Sequence, residues 1–162
     1  MRFVRLSSMA AGVAALALLS ACAPTRQTAS TAAPKAPPAC VAATPGDALV
    51  GNWLSVTAQK GVAGALRTLY TLKPDGTMMY VEQIKRPRSP SQGLEESGCW
   101  SREGKTLVLR TLLSNGVPVN LEDPIYTNRV QVLRADASQL LLQGGQGTIR
   151  AKRMSPGYRL PF

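Results

Sequence analysis

Lys73-Pro74-Asp75-Gly76 divides two runs rich in branched, aromatic and long apolar residues, 65–73 and 76–84. Proline presets φ and glycine accepts a positive φ, so the tetrapeptide is a hairpin turn and its flanks pair antiparallel. The same punctuation recurs along the chain. Glu103-Gly104 separates 97–103 from 105–113, Ala135-Asp136-Ala137 separates 126–134 from 138–143, and Gly144-Gly145 precedes 146–154. With 49–57 in front, this gives eight short β-rich segments and no run of helical periodicity. An open sheet of eight strands presents two unpaired edges, which closure removes. The expected fold is all-β, a small eight-stranded antiparallel up-and-down barrel over 48–155; a sandwich of the same strands is the alternative. An eight-stranded interior is filled by side chains or holds one small ligand.

Ahead of this domain the chain carries Arg2 and Arg5, then an apolar run from Met9 to Ala21. Roughly thirteen residues fall short of the ~20 that span a hydrocarbon core in a helix. A basic start, a short apolar centre and a small-residue exit make residues 1–21 a secretory signal peptide. Leu19-Ser20-Ala21-Cys22 resembles the bacterial lipobox. That resemblance implies a diacylglycerol on the Cys22 thiol, cleavage before Cys22, and acylation of the new amine. Ala23 in the next position, rather than Asp, is similar to the pattern of outer-membrane lipoproteins. Ordinary cleavage at Ala21-Cys22-Ala23 is the alternative. It would leave Pro24 at the new terminus, awkward beside a scissile bond because its φ is fixed and its N–H missing.

Residues 22–47 are rich in Ala, Thr and Pro and lack apolar periodicity, so they are expected to form a disordered tether. Cys40 near its end and Cys99 are the remaining thiols. In an oxidising compartment they are expected to pair, with a reduced buried Cys99 or intermolecular pairing through Cys40 as competing outcomes.

Composition bears on chemistry. The 162 residues hold 19 Lys and Arg, 9 Asp and Glu, and no histidine. Removing 1–21 takes both leader arginines, leaving 17 bases against 9 acids, a net charge of +8. Without histidine the usual general base near neutral pH is missing, along with Ser-His and Cys-His nucleophiles. Three cysteines without a C-x-x-C pair offer no zinc site. The reading is a non-enzyme with no cofactor and no metal. Exported, it would meet anionic lipid or polysaccharide rather than nucleic acid.

Gly51-Asn52-Trp53 on the first strand resembles the G-x-W signature of lipocalin-like barrels. In that family a Trp plugs one barrel end and a basic residue of the last strand covers its ring, a role for which Arg153 is the best match here, with Arg150 and Lys152 behind it. Asp75-Gly76, Gly98-Cys99-Trp100 and Leu107-Val108-Leu109 in that order are similar to small bacterial lipocalin-like lipoproteins, including envelope-stress proteins of the copper-homeostasis type. The C-x-x-C of the stress family is absent, so neither copper sensing nor adhesion is implied.

The densest charge cluster is Lys85-Arg86-Pro87-Arg88, read either as a solvated loop or as a contact for anionic lipid or polysaccharide at the barrel mouth. Trp100 joins Lys85, Arg86 and Arg88 as a possible ligand or partner contact. Adjacent Glu95 and Glu96 diverge on a strand and make a poor acid/base pair. Ser101 and Lys105 flank an exposed turn that supplies no desolvated lysine. The expectation is a lipid-anchored envelope protein, its domain periplasmic, whose barrel binds a small apolar ligand or another envelope protein. The alternatives are an inhibitor-like module presenting the 85–96 loop or the tail 156–162, and a purely structural lipoprotein.

Overall fold

The computed structural model describes residues 38–58, 63–86, 92–145 and 147–160. The lipobox residues Leu19, Ser20, Ala21 and Cys22, the tether up to residue 37, Arg88, and Pro161-Phe162 lie outside the described residues.

Among the described residues the strands are β1 (Gly51–Ala58), β2 (Ala65–Leu72), β3 (Thr77–Lys85), β4 (Gln92–Glu103), β5 (Thr106–Ser114), β6 (Val117–Pro118), β7 (Thr127–Ala135), β8 (Gln139–Gly144) and β9 (Gly147–Met154). A single 3-10 turn, Pro124–Tyr126, precedes β7. Each long strand pairs antiparallel with the next long strand in the chain, and β9 returns to pair with β1. Eight long strands thus close an up-and-down barrel, with the two-residue β6 folded back on β5.

The turns follow from local chemistry. Gly76 has φ 79°, and Asp75 Oδ1 accepts hydrogen bonds from the Thr77 N–H at 2.9 Å and the Thr77 hydroxyl at 2.6 Å. At the end of β5, Asn115 (φ 48°) and Gly116 turn the chain into β6, the Asn-Gly pairing that two-residue hairpins favour.

Side-chain size divides the interior into two halves. At one end Leu49, Trp53, Leu72, Met78, Trp100, Leu107, Leu140 and Leu142 fill the barrel. Both indoles are satisfied there: Trp53 Nε1 donates to Leu49 O and Trp100 Nε1 to Lys73 O, each at 2.8 Å. The opposite end, where the β1–β2, β3–β4, β5–β7 and β8–β9 connections lie, is not filled this way. Of the two adjacent methionines, Met78 is buried and Met79 is 39 % exposed, as the two faces of a strand require.

Three boundaries differ from the sequence reading. Strand β4 begins at Gln92, so the connection read as 85–96 is shorter by the residues that pair with β3. Residues 38–47, read as the end of the tether, are held against the barrel: Ala43 N–H donates to Pro74 O at 2.8 Å, and Asp47 pairs with Arg102 at 3.1 Å. The tail is docked rather than free. Leu160, 4 % exposed, packs with Leu69 and Val81 on the outer face of β2 and β3, covering apolar surface that would otherwise meet water.

Candidate functional site

The filled end is a closed end, and the residues that close it converge from four segments. Arg153 on β9 is the register partner of Trp53 on β1, and its Cζ lies 4.0 Å from the centroid of the Trp53 ring. The same guanidinium donates to Val50 O at 2.8 Å, Ala48 O at 3.0 Å and Asp136 O at 3.4 Å. Gly51 is required beneath it. A Cβ at residue 51 would collide with Arg153 Nη1, and the backbone there has φ 145°, which side chains rarely adopt.

Cys40 and Cys99 are joined in a disulfide across 59 residues of sequence. It fixes the incoming chain to β4, and with the Asp47–Arg102 pair and the Arg153 bonds it straps residues 40–50 over the closed end. Within the described residues, access to the interior is therefore from the opposite end.

There the barrel holds a cavity of about 700 Å³. Its floor is Met78 and Leu109 and its walls include Ser55, Thr68, Tyr70, Tyr80, Glu82, Leu94, Glu96, Val130 and Ile149. The register brings the polar members together. Thr68 is opposite Glu82, Tyr70 is opposite Tyr80, and Tyr80 is opposite Glu96. The Tyr80 hydroxyl donates to Glu82 Oε2 at 2.5 Å, and Thr111 Oγ1 donates to Glu96 Oε2 at 3.0 Å. The two phenol rings meet edge to face, with centroids 5.3 Å apart. Burial, with the charge of Glu82 adding to it, pushes Tyr70 up to about 12. Burial and the hydrogen bond to Glu82 push Tyr80 up as well. Both phenols are therefore neutral in any ordinary buffer.

An apolar ligand does not fit this lining well. Two carboxylates, two phenols and several hydroxyls face the space, and burying them against hydrocarbon would forfeit their hydration.

The sequence-selected contact residues do not form one site. Lys85 ends β3 and is exposed, as is Arg86, at the mouth end of the barrel. Trp100 is 2 % exposed in the closed-end core with its N–H satisfied, so it is not available to a ligand or partner. The reason is the inward phase of β4, which carries Leu94, Glu96 and Trp100 on one face. Ser101 and Lys105 are both exposed. Glu96 and Glu82, which do line the cavity, were not selected from sequence. The signal for them is period-two placement on strands with Tyr80 and Leu94, hidden for Glu96 because β4 was expected to start at residue 97.

The mouth also presents apolar side chains. Val117 and Ile125 are 64 % and 65 % exposed on the connection between β5 and β7, with Leu121 between them. Among the described residues, no group of three or more Cys, Asp or Glu is arranged to hold a metal ion. No protein-family model matches this chain, and no curated protein matches it.

Proposed function

We propose that this chain is a non-enzymatic binding protein of the bacterial envelope, a lipocalin-like barrel that carries a small organic molecule in the open half of its interior. The observation that carries the reading is the cavity of about 700 Å³. That volume lies within the roughly 300–1,000 Å³ of small-molecule sites. Its form also supports the reading, with one end sealed by Trp53 and Arg153 and the other lined by hydrogen-bonding groups. The absence of histidine in the sequence weighs against acid–base or nucleophilic catalysis.

Attachment is part of the proposal. Cys22 receives the lipid, the outer membrane is its destination, and residues 23–39 connect it to the Cys40–Cys99 bridge. Seventeen residues of extended, proline-dotted chain reach about 50 Å. In the inhibitor-like alternative the tail is one of two segments that could enter an enzyme cleft, and here it is docked through Leu160.

The test is native mass spectrometry of the domain exported to the periplasm. Bound mass that leaves on unfolding is the expected result, and a bare chain after gentle isolation would count against the reading. Attachment is tested separately by Cys22→Ser, which should release the protein from the membrane fraction.

A further inference from the structure

We infer that the cavity is a site for an organic cation, an ammonium group set between Glu82 and Glu96 beside the Tyr70–Tyr80 pair. The inference rests on the proposed binding function and names the chemical class of its ligand.

The sign of the interior is the opposite of the sign of the chain. Lysine and arginine outnumber the acids by 19 to 9, yet two of the nine acids face the cavity. Among the described residues, neither Glu82 nor Glu96 takes part in an ion pair; the three pairs use Asp47, Glu103 and Asp136. Among the described residues, the one basic residue along the lining, Arg129, is held by Glu103 at 2.6 Å. Each lumen carboxylate accepts one neutral hydroxyl at Oε2, from Tyr80 or Thr111, which leaves further lone pairs for a donor from the cavity.

Placement supports a shared ligand. Glu82 and Glu96 lie on neighbouring strands, Glu96 opposite Tyr80 and Glu82 two residues further along β3. Such diagonal neighbours are roughly 7–8 Å apart along the sheet, within reach of long side chains, so one ammonium can sit between the two carboxylates. Aromatic rings alongside add attraction for a cation through their π faces. A half-buried carboxylate pair with no internal counter-ion is costly when empty and satisfied when a cation arrives. A neutral ligand can offer these carboxylates hydrogen bonds but no counter-charge, and an anionic ligand is repelled by them.

The test uses the disulfide-bonded domain and calorimetric titration with three probes: spermidine, glucose as a neutral polyol, and oleate as an apolar anion. Spermidine should bind at least tenfold more tightly than either of the others. Glu82→Gln and Glu96→Gln keep the shape and one acceptor oxygen for the hydroxyl each carboxylate accepts, so both variants should fold, and thermal unfolding of the empty protein should be no lower than that of the wild type. Each should weaken spermidine at least tenfold, and the double variant should abolish its binding. Thr57→Lys at the mouth should weaken spermidine without touching either carboxylate, which keeps the proposal testable if a lumen variant misfolds. Tight binding of glucose or oleate with weak binding of spermidine would overturn the cation assignment and leave the binding function standing. Spermidine binding unchanged in the double variant would also overturn it, as adsorption elsewhere. Failure of all three probes, together with a bare chain from the periplasm, would overturn both.

Discussion

The Arg153 guanidinium covers the Trp53 ring at 4.0 Å from across the seam where the last strand meets the first. One side chain therefore joins three things: the closure of the barrel, the strap over its end through Ala48 and Val50, and the β7–β8 turn through Asp136 O. Arg153→Met keeps the bulk and loses the cation and its donors. With charged hydrogen bonds worth about 1.5–3 kcal/mol and the ring contact about 0.5–2 kcal/mol, the variant should lose about 3 kcal/mol. Denaturant unfolding reads this directly, and a loss below about 1 kcal/mol would contradict the role given to Arg153.

The Cys40–Cys99 bridge closes a loop spanning 59 residues. Chain entropy alone assigns such a loop about 4 kcal/mol. The Cys40→Ser, Cys99→Ser double variant should still fold as a barrel, because the ring of strand pairing does not pass through the bridge. It should unfold at a markedly lower denaturant concentration and bind the same probes. Loss of all β structure in circular dichroism would show that the strap is needed to form the barrel.

Leu160 anchors the tail on Leu69 and Val81. Leu160→Ala should cost about 2 kcal/mol, at the low end for a buried leucine because the site lies on the outer face of the sheet. Limited proteolysis should then cleave the variant within the tail under conditions that leave the wild type intact. Equal resistance in both would mean that the tail is not held by this contact.

Asp136 gives the β7–β8 turn a pH-dependent contribution to stability. Hydrogen bonds from the Ser138 and Gln139 N–H groups, then from Arg134 and the Ser138 hydroxyl, lower its carboxyl from 3.8 to about 2. Because the folded value is depressed, its stabilisation is present in full above about pH 4 and is lost as pH falls towards 2. Asp136→Asn lacks this dependence, so the stability gap between wild type and variant should narrow over that interval. An NMR titration of the Asp136 carboxyl with a midpoint near 3.8 would refute it.

Much of the barrel was legible from the sequence because strands and turns are local. Pro74-Asp75-Gly76 turns the chain by its own dihedral limits, and 65–73 and 76–84 then pair with little choice. The Gly51, Trp53 and Arg153 placement was legible only through the resemblance that linked first strand to last. Strand β4 was half missed, because Glu95 and Glu96 do not look like strand residues until their neighbours are known. The Asn115-Gly116 hairpin and the short β6 behind it were not among the eight segments expected, although the dipeptide is a strong local signal.

By itself the sequence determined the eight strands of the barrel, most of the turns between them, the cysteines available to pair and the excess of positive charge. Those properties follow from dihedral preference, alternation and counting, none of which needs a partner distant in the chain. The tertiary structure decided which half of the interior is filled, that Leu160 seals an outer face, and that Glu82 and Glu96 meet around Tyr80. Those outcomes depend on register around a closed ring. A shift of one residue would turn both carboxylates to solvent and the cavity would lose its charge.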